Sequence, residues 1–152
     1  MGQKIKLSGN FHFKKENFTA ATCKYKKALR YLNRLHDELN MNSEQEKQLL
    51  ELQANCLLNS AASHLKNRKY EDALNDCNEA LDIDSENVKA LFRKGQALHG
   101  NRDYDNSLKT LYTALKLAPT DKSINAEIVA VKGEIQAYKA QEKRAFSKLF
   151  AT

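Results

Sequence analysis

The stretch Tyr70-Glu71-Asp72-Ala73-Leu74-Asn75-Asp76-Cys77-Asn78-Glu79-Ala80-Leu81 decides the fold, because it returns 34 residues later. Its Tyr70, Ala73, Cys77 and Ala80 align with Tyr104, Ser107, Leu111 and Ala114. Ahead of it, Ala61 aligns with Gly95 in the same frame. A third copy of the frame, Gly9, Phe18, Ala21, Tyr25 and Ala28, lies 52 residues before the second. That is one repeat length plus an insertion of 18. Small residues at fixed places mark points where two helix backbones approach closely. A unit of this length and pattern is a pair of antiparallel helices that cannot bury its apolar face alone and stacks on its neighbours.

This period is the signature of the tetratricopeptide repeat. The expected fold is all-α: a right-handed solenoid of three helix pairs closed by a C-terminal capping helix. The repeats span about 2–53 (with the insertion), 54–87 and 88–121, within a repeat region 1–120, and the capping helix with a basic tail spans 121–152. The insertion is best placed as extra turns on two neighbouring helices. Nothing between Ala28 and Leu39 breaks a helix, and Ser43 with Glu46 three residues on forms a capping box that starts the next one early. Pro119 ends the third pair, and Thr120 or Asp121 can cap the last helix. That helix carries Ile124, Ile128, Val131, Ile135, Tyr138, Ala145 and Leu149 on one side, a stripe that thins beyond Tyr138.

Composition agrees. The 152 residues include one proline, five glycines and no tryptophan, too few turn residues for a many-stranded barrel. No apolar run reaches the eighteen or so residues of a membrane span, and the N-terminus lacks the apolar core of a secretory signal. Lys6 stands where myristoylation wants Ser or Thr. The expectation is therefore no membrane. Cys23, Cys56 and Cys77 are odd in number and unpaired in spacing, which reads as free buried thiols in a reducing compartment. The net charge of +6 arises from 25 basic residues interspersed with 19 acidic ones, not from a basic tract. It argues for a locally positive groove and against nucleic acid.

Enzyme chemistry finds no carrier. There is no nucleophile elbow, phosphate loop or zinc signature, so no catalytic residue, metal or cofactor is expected. His12 and His64 share a packing position in their repeats, while His36 and His99 look isolated. The basic end of the last helix, Lys139, Lys143, Arg144 and Lys148 with Phe146, Leu149 and Phe150, fits either calmodulin or a solvated helix end.

The groove is the informative surface. The first helix of each pair lines the concave side. Lys6 and Asn10 are four apart on one such helix, Lys89 and Arg93 repeat the arrangement on another, and Asn59 lies in register with Arg93 on the helix between. Three cations and two amides aimed into one concavity suit carboxylates, where charge-assisted hydrogen bonds are strong. Phe13 and Lys66, further along that face, are candidate secondary contacts to a peptide.

At these residues the chain resembles the chaperone-binding class of tetratricopeptide domains. It looks most like those of the large immunophilins, of the forty-kilodalton cyclophilin type. The likeness rests on Lys6-Leu7-Ser8-Gly9-Asn10, Leu29-Arg30-Tyr31, Leu58-Asn59, Lys89-Ala90-Leu91-Phe92-Arg93 and the ending Glu142-Lys143-Arg144-Ala145-Phe146-Ser147-Lys148-Leu149-Phe150-Ala151. The resemblance implies a two-carboxylate clamp formed by Lys6, Asn10, Asn59, Lys89 and Arg93. Such a clamp grips the last aspartate of the Met-Glu-Glu-Val-Asp tail of heat-shock protein 90, and the seventy-kilodalton chaperone is a second candidate. It further implies a cytoplasmic co-chaperone module, with the nucleus as an alternative place, and no catalysis within this chain. Two other readings stay open: a scaffold whose groove takes an internal peptide segment, and the regulatory domain of a larger peptidyl-prolyl isomerase.

Overall fold

The structure is a computed structural model and describes residues 1–151. Seven helices follow one another: α1 (Gly2–Lys14), α2 (Phe18–Glu38), α3 (Ser43–Lys66), α4 (Tyr70–Ile83), α5 (Val88–Gly100), α6 (Tyr104–Leu117) and α7 (Lys122–Leu149). No strand occurs among the described residues. The chain is an all-α tetratricopeptide-repeat solenoid: each helix packs against the next, and α3 also touches α1 on one side of it and α5 on the other. Helix α2, with 21 residues, is seven longer than α6, and α3, with 24, is eleven longer than α5. Those extra turns hold the 18 additional residues.

The repeat is written into the backbone as well as the side chains. Glu16, Arg68 and Arg102 end α1, α3 and α5 at φ of 57°, 57° and 63°. They sit at the same 52- and 34-residue spacings as the sequence frame. At each, the following amide reaches back five residues, Asn17 to His12, Lys69 to His64 and Asp103 to Leu98, at 2.9 Å. This is a Schellman closure with a charged residue in the left-handed position that glycine usually takes. L residues pay about 1 to 2 kcal/mol there. Against the extra chain entropy of glycine, Arg68→Gly should stabilise the domain by roughly 0.5 kcal/mol. A lowered midpoint in chemical denaturation would contradict this.

Close helix contacts depend on the small residues. A Cβ on Gly95 would lie 2.5 Å from Leu111 Cδ2, and the Ser107 hydroxyl donates to the Gly95 carbonyl at 2.7 Å. Gly95→Ala should therefore cost about 1 to 3 kcal/mol through overpacking. An unchanged thermal melt would refute it.

Buried clusters run the length of the stack. Ala28, Leu32, Leu49 and Cys56 join α2 to α3; Leu57, Leu58, Ala80 and Ala90 join α3, α4 and α5. Leu91, Leu111 and Ala114 meet Ile124, Ile128 and Val131 of α7. Burial on α7 stops at Ile135, earlier than its sequence stripe suggests. Tyr138, Phe146, Leu149 and Phe150 are all more than half exposed. The helix outlasts the body it covers.

Several local expectations need correction. The cap of α3 is Asn42, not Ser43: its side chain accepts from the Gln45 amide at 2.9 Å, while Gln45 Oε1 accepts from the Asn42 amide at 3.1 Å. Asparagine caps as well as serine, so the box forms one residue earlier. Asp121 is the cap of α7. Cys56 and Cys77 are buried free thiols, but Cys23 is exposed because it faces away from the packed side of α2. His99 is not isolated. Its Nδ1 lies 2.6 Å from Glu127 and its Nε2 lies 3.1 Å from Glu134, which also accepts from Tyr104 at 3.0 Å. The cluster ties α7 to α5 and α6.

His64 does pack between helices, but in polar company. It is buried with Ser60 and Asp76, and Asp76 lies 3.6 Å from its Nε2. Burial raises the Asp76 carboxyl from 3.8 to about 6, and burial lowers His64. Asp76 thus binds its proton more tightly folded than unfolded. Its contribution favours the fold as pH falls through about 6 and opposes it at neutral pH. Asp76→Asn should stabilise the domain by roughly 2 kcal/mol at pH 7.5, with the gain shrinking towards pH 5. A gain that grew on acidification would contradict this assignment.

Candidate carboxylate-binding groove

Helices α1, α3 and α5 each bring an expected groove residue to a common cleft. It has a volume of about 480 Å³ and is lined by Asn10, Asn59 and Arg93 together with Phe13, Leu7 and Phe11. The sequence register therefore brings three of the five expected groove residues, and the secondary contact Phe13, to one place. A second hollow of about 500 Å³ continues from it, sharing Ala62 and Arg93. Lys66 lines that hollow with Gln96, His99 and Arg102. Lys6 and Lys89 line neither. They stand one helical turn from Asn10 and Arg93, Lys6 half-buried and Lys89 exposed.

Arg93 is held in place before any ligand arrives. Its Nη1 donates to the Leu58 carbonyl at 2.6 Å, and it is half-buried. Burial lowers its pKa, with the Cys77 and Tyr25 side chains acting in the opposite direction. A guanidinium stays charged in any such setting. One edge is spent on the α3 backbone, and the rest of its donor fork remains for a ligand.

The two amides are coupled. Asn59 Nδ2 donates to Asn10 Oδ1 at 3.1 Å, and the Tyr25 hydroxyl donates to the same oxygen at 2.6 Å. Tyr25 comes from α2 and is 1% exposed, with its ring against Gly9 so closely that a Cβ there would lie 2.5 Å away. Burial pushes its hydroxyl up to about 12, helped by the Cys56 thiol and opposed by Arg93. It therefore keeps its proton and acts as a donor. Sequence reading took Tyr25 only as a packing position, since helical spacing carries no sign of a hydroxyl reaching another helix. Leu7 and Phe11, both 59% exposed, were also missed. They give the cleft an apolar wall, and their i, i+4 spacing with exposure is visible only in three dimensions.

The chemistry the cleft offers is donation, from a fixed guanidinium and carboxamide N–H groups, with the Lys6 and Lys89 ammonium groups one helical turn from Asn10 and Arg93. Such a set has the chemistry that suits a carboxylate. Among the described residues no group of His, Cys, Asp and Glu could hold a metal ion, and no helix is long and apolar enough to cross a membrane.

Known proteins place the chain in the same company. Residues 88–121 match the tetratricopeptide repeat family. Over 146 residues the chain is 30% identical to peptidyl-prolyl cis-trans isomerase FKBP4 of Bos taurus, covering 96% of this chain and 31% of that protein. The chain thus spans about a third of the length of the curated relatives it matches. The C-terminal TPR-containing domain of a Plasmodium falciparum FK506-binding protein superimposes with a TM-score of 0.81 at 28% identity, covering 91% of each chain. The first TPR of Spaghetti (RPAP3), solved bound to the HSP90 peptide SRMEEVD, gives a TM-score of 0.70 at 21% identity, covering 89% and 93%. These relatives correct the cyclophilin expectation, since the isomerases among them are of the FK506-binding kind. None of these relatives supports calmodulin as a partner. In fold, repeat spacing and likeness, this chain is a tetratricopeptide-repeat domain similar to the repeat regions of FK506-binding proteins.

Proposed function

We propose that the groove binds the free C-terminus of a chaperone, the Met-Glu-Glu-Val-Asp tail of heat-shock protein 90. The seventy-kilodalton chaperone, whose tail shares Glu-Glu-Val-Asp, is the second ligand. The observation that carries the reading is the convergence of Asn10, Asn59 and Arg93 from three helices on one donor-rich cleft. The last aspartate brings two carboxylates. Asn10, Asn59 and Lys6 receive one, and Arg93 and Lys89 the other. Phe13 and the Leu7–Phe11 wall cover the apolar side chain next to it, and Lys66 faces residues further upstream.

The chain itself is a binding domain without catalysis, and it serves as the docking part of an FK506-binding type of isomerase. Isothermal titration with both tails tests the reading. Specific one-to-one binding that weakens as salt rises is expected, because half-buried Lys6 and exposed Lys89 supply part of the attraction. Affinity independent of salt, or no binding, would overturn it.

A further inference from the structure

We infer that Tyr25 is a positioning residue that fixes which way the Asn10 carboxamide faces, and so makes the cleft select an acceptor-only terminal group. The inference rests on the carboxylate reading above and names what sets its selectivity. Asn10 Oδ1 has two lone pairs, and both are occupied, by the Tyr25 hydroxyl at 2.6 Å and by Asn59 Nδ2 at 3.1 Å. With the oxygen turned inwards, the Asn10 Nδ2 protons are what the amide offers to the cleft. A carboxylate accepts them with either oxygen; a terminal amide can accept only through its carbonyl oxygen, and its NH2 would meet donor against donor.

Asn59 alone would not enforce this arrangement. An amide faces another amide equally well after both flip, each exchanging donor for acceptor. The Tyr25 hydroxyl breaks that symmetry. It is buried, carries its proton throughout the physiological range, and has Asn10 Oδ1 at hydrogen-bond distance. Its own position is set by the α1–α2 contact, since the ring lies flush against the Gly9 backbone. Residues from three helices thus orient one carboxamide. Arg93, whose charge is felt at Tyr25, lines the same cleft and supplies attraction for the anion, whereas Tyr25 supplies orientation.

The test is Tyr25→Phe, which keeps the ring and removes the hydroxyl. Titrations would compare a free-acid Met-Glu-Glu-Val-Asp peptide with its C-terminally amidated form. In Tyr25→Phe the free acid should bind about tenfold more weakly. The amide should lose less or gain, because a flipped Asn10 now offers it an acceptor. The free-acid to amide ratio should therefore narrow. In an Asn10→Ala background, adding Tyr25→Phe should change neither affinity. Equal weakening of both peptides, or the same loss with and without Asn10, would overturn the inference and leave Tyr25 a packing residue. Absence of wild-type binding to the free acid would instead sink the carboxylate reading. A ligand-free measurement covers that case: the Asn10 side-chain amide resonances should shift and broaden in Tyr25→Phe as the carboxamide begins to flip. Resonances equally sharp and unshifted would overturn the lock without reference to any peptide.

Discussion

Arg93→Ala should weaken binding of the Met-Glu-Glu-Val-Asp peptide by about 2 to 5 kcal/mol, the usual loss when one partner of a desolvated charge pair is removed. In affinity that is roughly 30-fold to roughly 5,000-fold. The figure is large because the ligand carboxylate would be left in the cleft without its fixed partner. The fold will also register the change, since the guanidinium's bond to the Leu58 carbonyl at 2.6 Å goes with it. A cost of about 1.5 kcal/mol is expected for a hydrogen bond to a charged group. Lys89→Ala separates the two effects. Lys89 is exposed and touches nothing structural, so its loss should weaken binding while stability moves by no more than about 0.5 kcal/mol. Folded Arg93→Ala protein that bound the tail within threefold of wild type would remove the guanidinium from the site.

Deleting the capping helix should be the most damaging change to the fold. Ile124, Ile128 and Val131 are at most 5% exposed and cover Leu91, Leu111 and Ala114. At about 1.5 to 3 kcal/mol for each buried side chain, their loss approaches the whole stability of an ordinary domain. The ties from His99 to Glu127 and Glu134 would go as well. A chain ending at residue 118 should aggregate or melt without cooperativity. A chain ending at residue 138 should melt within about 2 °C of wild type, because the removed turns bury nothing. Cooperative melting of the shorter chain at the wild-type temperature would refute the capping role.

Much of this was legible in the sequence because the repeat constrains it from several sides. Small residues at a fixed period identify helix pairs, and the period then predicts which side chains share the concave face. Asn59 and Arg93, 34 residues apart, meet in one cleft for that reason. What the period could not carry was anything aperiodic. The Tyr25 hydroxyl reaches Asn10 across a helix pair, and His99 finds its carboxylates on α7, which lies outside the repeats. The thinning of the α7 stripe beyond Tyr138 was legible, but burial already ends at Ile135, because spacing alone does not show where the body beneath a helix stops. The capping box slipped by one residue because Asn42 and Ser43 are equally good caps. Immunophilin type was not legible, since the residues that carried the likeness all lie in the repeats and the helix that caps them.

The central claim is that the groove reads a free terminal carboxylate. Calorimetric titration of the wild-type domain with Met-Glu-Glu-Val-Asp and with the same peptide amidated at its C-terminus tests it most directly. Amidation removes one of the two charges and turns acceptors into donors, while leaving every upstream side chain in place. The account predicts that the amidated peptide binds at least tenfold more weakly than the free acid. Equal affinity for the two would contradict it and would make the groove a site for internal peptide segments.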